Sequence, residues 1–200
     1  MIATQHEVGS ARSRVVNAAR HLFATRGFHQ MSMAELAEEA DVSVGAIYRS
    51  FKGKADIVLA IVEVDARARL ETLASLSAQV KSGMTPVETA LTRMALLSLS
   101  EGDEALSFEI LAEAHRNADV ARMIADLCVH YRNAFRDFAC VANPRLSTME
   151  LDAAEELLLA CMFGLGHRTL SGPRLGVNET AEYTAKMILH ALNALHPDMG

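Results

Sequence analysis

The side chains of this 200-residue chain best placed to do chemistry are its cations, and they are unevenly spread. Residues 1–58 hold seven Lys or Arg (Arg12, Arg14, Arg20, Arg26, Arg49, Lys52, Lys54) and six acids (Glu7, Glu35, Glu38, Glu39, Asp41, Asp56). Twelve basic and nineteen acidic residues remain beyond them, so the first part carries +1 and the rest −7 of a net −6. The early cations cluster further, at 12–26 and 49–54. Such asymmetry fits an N-terminal module that faces an anion and a C-terminal module that does not. Covalent chemistry has less support. Cys128, Cys140 and Cys161 are odd in number and lack the close pairs of a zinc site, so they read as reduced thiols, mostly buried. No nucleophile elbow, phosphate loop or metal-ligand spacing occurs. The expectation is a protein without catalysis, metal or cofactor.

The stretch LAEEADVSVGAIYRSFKGK, residues 36–54, has the pattern of two short helices around a turn. Such a motif needs a small residue late in its first helix, one tolerant of left-handed backbone four positions on, and a branched apolar residue in the second helix. Ala37, Asp41 and Ile47 fill these places, with Leu36, Ala40 and Val42 also inward. Asp accepts left-handed geometry better than most residues, though less well than glycine. Gly45 costs a helix interior roughly 1 kcal/mol relative to alanine. Two reasons are open: close approach of DNA to the second helix, or close packing of that helix on the first helix of the chain.

The segment from Ala18 to Asp56, AARHLFATRGFHQMSMAELAEEADVSVGAIYRSFKGKAD, resembles the tetracycline-repressor (TetR) family of bacterial transcriptional regulators. The likeness rests on AA..LF...GF, S-M-x-x-L-A-x-x-A and V-S-x-G-x-x-Y-x-x-F-x-x-K. Asp41 departs from the glycine usual before V-S. The resemblance implies phosphate contacts by Ser32, Tyr48 and Lys54. Ser32 sits at a helix N-terminus, where free N–H groups suit an anion. Because the second helix of this motif enters the major groove, base reading falls to Val44, Ala46 and Arg49, with Ser43 and Gly45 near the DNA backbone. Val44 and Ala46 offer apolar contact, for instance to thymine methyls; Arg49 can take guanine bidentately or grip phosphate. Arg12 and Arg14 either reach the adjacent backbone or minor groove, or line a solvated face.

The elements that must hold these residues are helical throughout. Apolar spacing follows the helix period, and strand alternation is nowhere sustained. Val15, Val16, Ala19, Leu22 and Phe23 share one face of a first helix that Gly27 stops. Ser32 and Glu35 form a capping box, and Ser43 caps the helix that follows. A long helix runs from Lys54 to the late seventies. Further helices fit about 86–100, 103–116, 118–141, 148–170 and 178–195, with Asn143-Pro144 and Ser171-Gly172-Pro173 as breaks. The fold class is all-α with about nine helices: a flexible arm (1–9), a helix-turn-helix DNA-binding domain (10–57), and an effector-binding and dimerisation bundle (58–200).

In the bundle, Val120, Ile124, Leu127, Cys128, Tyr131, Phe135 and Phe138 lie on one broad face. Phe108, Leu111, His115, Cys128, Tyr131, Phe135 and Met162 are the candidate effector pocket, suited to an apolar or aromatic compound, although such a stripe also builds core. LLLACMFGL, 157–165, is apolar on all sides and must be covered on more than one. Leu158, Phe163, Gly166, Met187, Ala191 and Leu195 are the candidate dimer interface; the same helices could instead complete the monomer core. Together these features lead to an expected cytoplasmic repressor. It would form a homodimer on a pseudo-palindromic double-stranded operator, be released by a small molecule, and have no membrane segment. The alternative is a dimeric regulator without a small ligand.

Overall fold

The computed structural model describes residues 3–27, 30–100 and 104–195, and among these it has nine α-helices and no strand. They are α1 (Ala3–Arg26), α2 (Met33–Glu39), α3 (Val44–Ser50), α4 (Lys54–Lys81), α5 (Val87–Ser100), α6 (Glu104–Ala114), α7 (Ala118–Ala142), α8 (Thr148–Gly166) and α9 (Val177–Ala194). Where a flexible arm was expected over 1–9, the backbone is helical from Ala3. The helix expected over 148–170 also ends sooner. After Gly166 the chain tightens into a 3₁₀ turn, Arg168–Ser171, closed by left-handed Gly172 at φ 64°. Glycines late in a helix lower its cost of ending.

Two compact units divide the chain: Met1–Ala66 with Asp103–Ala125, and Arg67–Gly102 with Asp126–Gly200. The division falls inside α4 and inside α7. In the first unit, Val15, Val16, Ala19, Leu22 and Phe23 of α1 are buried, as their spacing requires. They meet Met31, Leu36, Ile47 and Phe51, and the core continues into Val58 and Ile61 of α4, Leu106 of α6 and Val120 of α7. The boundary expected at residue 57 thus cuts through this core. Three short helices bury too little apolar surface to stand alone, so neighbouring helices supply more. A bidentate ion pair, Arg20 to Asp65 at 2.7 and 2.6 Å, ties α1 to α4 within the unit.

The second unit packs Leu73, Leu76 and Val80 of α4 around Leu91 and Met94 of α5, Phe135 and Phe138 of α7, Leu158 and Met162 of α8 and Ala185 of α9. Asn143 is buried at the α7–α8 turn. Its amide donates to the Leu192 carbonyl (2.9 Å) and its oxygen accepts from the Arg145 N–H (3.1 Å), so neither polar group is stranded.

Candidate nucleic-acid interface

The α2–α3 corner is built from the turn outward. Asp41 is the one non-glycine residue with positive φ among the described residues, at 52°. Around it the Asp41 N–H meets the Glu38 carbonyl (3.1 Å) and the Val42 N–H meets the Ala37 carbonyl (3.0 Å), closing the end of α2. Leu36, Ala37, Ala40 and Ile47 are buried beneath, as the motif requires. At the other end of α2 the capping box is present: the Ser32 hydroxyl accepts from the Glu35 N–H (3.1 Å), and a Glu35 carboxylate oxygen accepts from the Ser32 N–H (2.7 Å). These bonds to Ser32, helped by Arg26, hold the Glu35 carboxyl below its ordinary value.

One face of α3 points away from this core. Ser43, Val44, Gly45, Tyr48 and Arg49 are exposed, and Ala46 is half-buried. The Ser43 hydroxyl accepts from the Ala46 N–H (3.2 Å) and so caps α3. A Cβ on Gly45 would meet only the Ser43 hydroxyl, at 4.0 Å. Packing of α3 against another helix therefore does not explain the glycine; its open side is outward. Ser32 is exposed, and Lys54 opens α4 half-buried. Ser32, Ser43, Val44, Gly45, Ala46, Tyr48, Arg49 and Lys54 all lie on the α2–α3 corner or its two flanks.

The cations of α1 behave differently from those after α3. Arg12 lies over the Phe51 ring, 4.6 Å from its centroid, and donates to the Ser50 carbonyl at the end of α3 (3.4 Å). Arg14 pairs loosely with Asp41 (3.8 Å), Arg20 with Asp65, and Arg26 with Glu35 (2.9 Å). The cluster at 12–26 is thus engaged within the unit, and Arg49, Lys52 and Lys54 form a cationic edge beside α3. The sequence reading missed the Arg12 contact; the signal was an Arg one turn before the apolar face of α1.

The expected effector residues divide between the two units. Phe108, Leu111 and His115 fall in the first unit, and Cys128, Tyr131, Phe135 and Met162 in the second. Phe135 and Met162 are core, at 3% and 6% exposure, and Phe108 and His115 are exposed. Tyr131 stacks on Phe135 (6.4 Å between centroids) with the Arg69 guanidinium 5.9 Å from its ring. Of the thiols, Cys140 is exposed, against expectation, and burial pushes the Cys161 thiol up. None of the seven lines the groove of about 670 Å³ between α4 and α5. That groove is walled by Glu71, Thr72, Ser75 and Gln79 on one side and Arg93, Leu96 and Leu97 on the other. The recurrence of Glu71, Ser75 and Gln79 every four residues marked this face of α4 as polar.

The expected dimer residues also separate. Leu158 is buried in the core of its own unit, and Gly166 sits where a Cβ would meet the Ser98 carbonyl at 3.3 Å. Both serve packing within the chain. Phe163, Met187, Ala191 and Leu195 are exposed, as are Leu157 and Tyr183. No helix of the described residues is long and apolar enough to cross a membrane.

A two-helix corner with a buried underside and an open second helix, set in an all-α chain, defines the class of helix-turn-helix proteins. Residues 15–61 match the model of the bacterial regulatory proteins of the tetR family. Over that stretch the chain is similar to that family. It is 32% identical over 120 residues to the transcriptional regulator UidR of Escherichia coli K12, a match spanning 60% of each protein. Among solved structures it resembles Salmonella enterica GusR (25% identity, TM-score 0.69, 92% of this chain and 94% of that one). It also resembles a Saccharomonospora viridis transcriptional regulator in complex with choline (22% identity, TM-score 0.74, 91% and 97%), a likeness of fold.

Proposed function

We propose that this chain is a DNA-binding transcriptional regulator, a repressor that holds a pseudo-palindromic operator as a homodimer and is released by a small effector. The observation that carries the DNA reading is the open face of α3: Gly45 has nothing but its own cap within 4 Å, above a core that fixes the helix from below. In this reading Ser32, Tyr48 and Lys54 meet phosphates. Val44, Ala46 and Arg49 meet bases, and Ser43 and Gly45 lie along the DNA backbone. The dimer reading rests on the exposed apolar stripe Tyr183, Met187, Ala191, Leu195 on α9, with Leu157 and Phe163 on α8. Exposed apolar side chains at four-residue spacing along one helix face are usually covered.

The effector reading draws on the α4–α5 groove and on a regulator of the same fold solved with choline. A second reading, a dimeric regulator with no small ligand, is favoured by the filling of the expected pocket: Phe135 and Met162 are core. Release of a bound duplex by members of a compound library separates the two. DNA binding itself is tested by salt. Counterion release makes log affinity fall linearly with log salt concentration. Lys54→Ala should weaken binding to every duplex and reduce that slope by about one. An unchanged slope places Lys54 off the phosphates.

A further inference from the structure

The face that α3 presents has a one-sided hydrogen-bonding character. Its exposed side chains are Val44, Tyr48 and Arg49, with Gly45 and the half-buried Ala46 between them. No carboxylate or amide lies on the helix. The Ser43 hydroxyl oxygen already accepts from the Ala46 N–H, which leaves it one lone pair, and the Tyr48 hydroxyl can donate or accept. Arg49, Lys52 and Lys54 only donate. Of the neighbouring acids, Glu35 is held by Ser32 and Arg26 and Glu39 by His21 at 3.3 Å, while Asp41 pairs only loosely with Arg14 at 3.8 Å. Glu38, exposed on α2, is the acceptor nearest to being unassigned.

In the major groove, adenine and cytosine each present an amino donor, and reading either by that group requires a protein acceptor. Guanine presents two acceptors, and thymine an acceptor and a methyl group. We infer that this chain reads its half-site through keto bases: a guanine opposite Arg49 and thymines opposite Val44 and Ala46, on the strand that α3 faces. Adenine or cytosine amino groups under α3 would find hydroxyls there but no carboxylate or amide to take them up, so such positions are disfavoured. The inference rests on the proposed entry of α3 into the major groove and adds which bases that entry selects. Gly45 contributes by its lack of a side chain. A Cβ there would enter open space, so the outward side of the first turn of α3 stays clear for the bases.

The test begins with the full chain and a pool of duplexes with randomised bases, from which bound sequences are enriched. In the enriched duplex each thymine is then replaced by deoxyuridine, which removes the 5-methyl group alone. Each guanine is replaced by 7-deazaguanine, which removes the N7 acceptor. One or two symmetric thymines per half-site should lose about fourfold in affinity, the worth of one buried methyl-sized group. One symmetric guanine should lose roughly tenfold or more. Val44→Ala should remove the deoxyuridine effect and Arg49→Ala the 7-deazaguanine effect; both residues are exposed, so the fold is spared. A half-site indifferent to both replacements overturns the inference while leaving specific DNA binding intact. So does one that depends on adenine or cytosine amino groups, with that dependence lost in Glu38→Ala. Failure to enrich any sequence overturns the DNA reading itself.

Discussion

Asp41 holds φ at 52° with its side chain 97% exposed, and its partner is Arg14 at 3.8 Å, itself about half exposed. A solvent-screened pair of this kind contributes little, so the backbone strain is not offset by the carboxylate. Asp41→Gly should therefore stabilise the chain by something under about 1 kcal/mol, since glycine relieves the left-handed strain but also loosens the unfolded chain. Urea unfolding of the two proteins measures it, and a clear loss of stability would assign Asp41 a bond worth more than the strain. Glu35 acts through charge. Its folded pKa lies below the ordinary 4.5, chiefly through bonds from Ser32. The stability it contributes is thus fully present above that value and is lost as pH falls through it toward the folded value. Glu35→Gln keeps the box geometry without the titration. The gap in Tm between wild type and variant should narrow between neutral pH and about pH 3; a gap independent of pH would mean the charge is irrelevant to the cap.

At the scale of elements, the helices were legible because each has its period and its ends written in side chains. Ser32 with Glu35 and Ser147 with Glu150 both form the boxes their spacing implies. What periodicity cannot tell is what an apolar face meets. Leu158 and Met187 stood equally as interface residues, yet Leu158 is 3% exposed and Met187 71%. Phe135 and Met162 read as pocket lining and prove to be core for the same reason: a stripe at helical spacing is silent about whether its partner is a ligand, a second subunit or the next helix. The α4–α5 groove went unseen because its α4 wall carries Glu71, Thr72, Ser75 and Gln79, and a polar face looks solvated. Gly45 is the opposite case, a residue whose oddness in the sequence the structure sharpens. Because a Cβ there enters open space, Gly45→Ala should raise the stability of α3, by up to about 1 kcal/mol. The same methyl group stands where DNA is proposed to approach, so operator affinity should fall roughly tenfold, or about 1.4 kcal/mol. Thermal melting and duplex titration on one preparation measure both. A variant that is more stable and binds as tightly would place the DNA elsewhere.

At the scale of the whole molecule, the exposed stripe on α9 and the proposed two-fold operator depend on each other. A reading head held by one α3 contacts few base pairs, and a dimer gains by placing two heads on half-sites about one helical turn apart, roughly 34–36 Å. Tethering the second contact to the first raises apparent affinity on the order of a hundredfold or more without any new interaction. Met187 lies at the middle of the stripe, 71% exposed in the chain alone, with Tyr183 and Ala191 one turn to either side. A glutamate there costs the free chain almost nothing, because it points into water. In a dimer closed over α8 and α9 it is a charge buried at a two-fold axis or against its own mate, which apolar packing cannot accommodate. Met187→Glu should thus give a folded monomer in sedimentation equilibrium, with helical content and Tm near those of the wild-type chain at low concentration. On duplexes with two half-sites it should lose the hundredfold advantage, while on a duplex with a single half-site it should bind as the wild-type monomer does. Tyr183→Glu, one turn earlier on the same face, should repeat the result. If both variants remain dimers with undiminished affinity for the paired half-sites, the subunits meet on another face, and the stripe on α9 is left for some other partner.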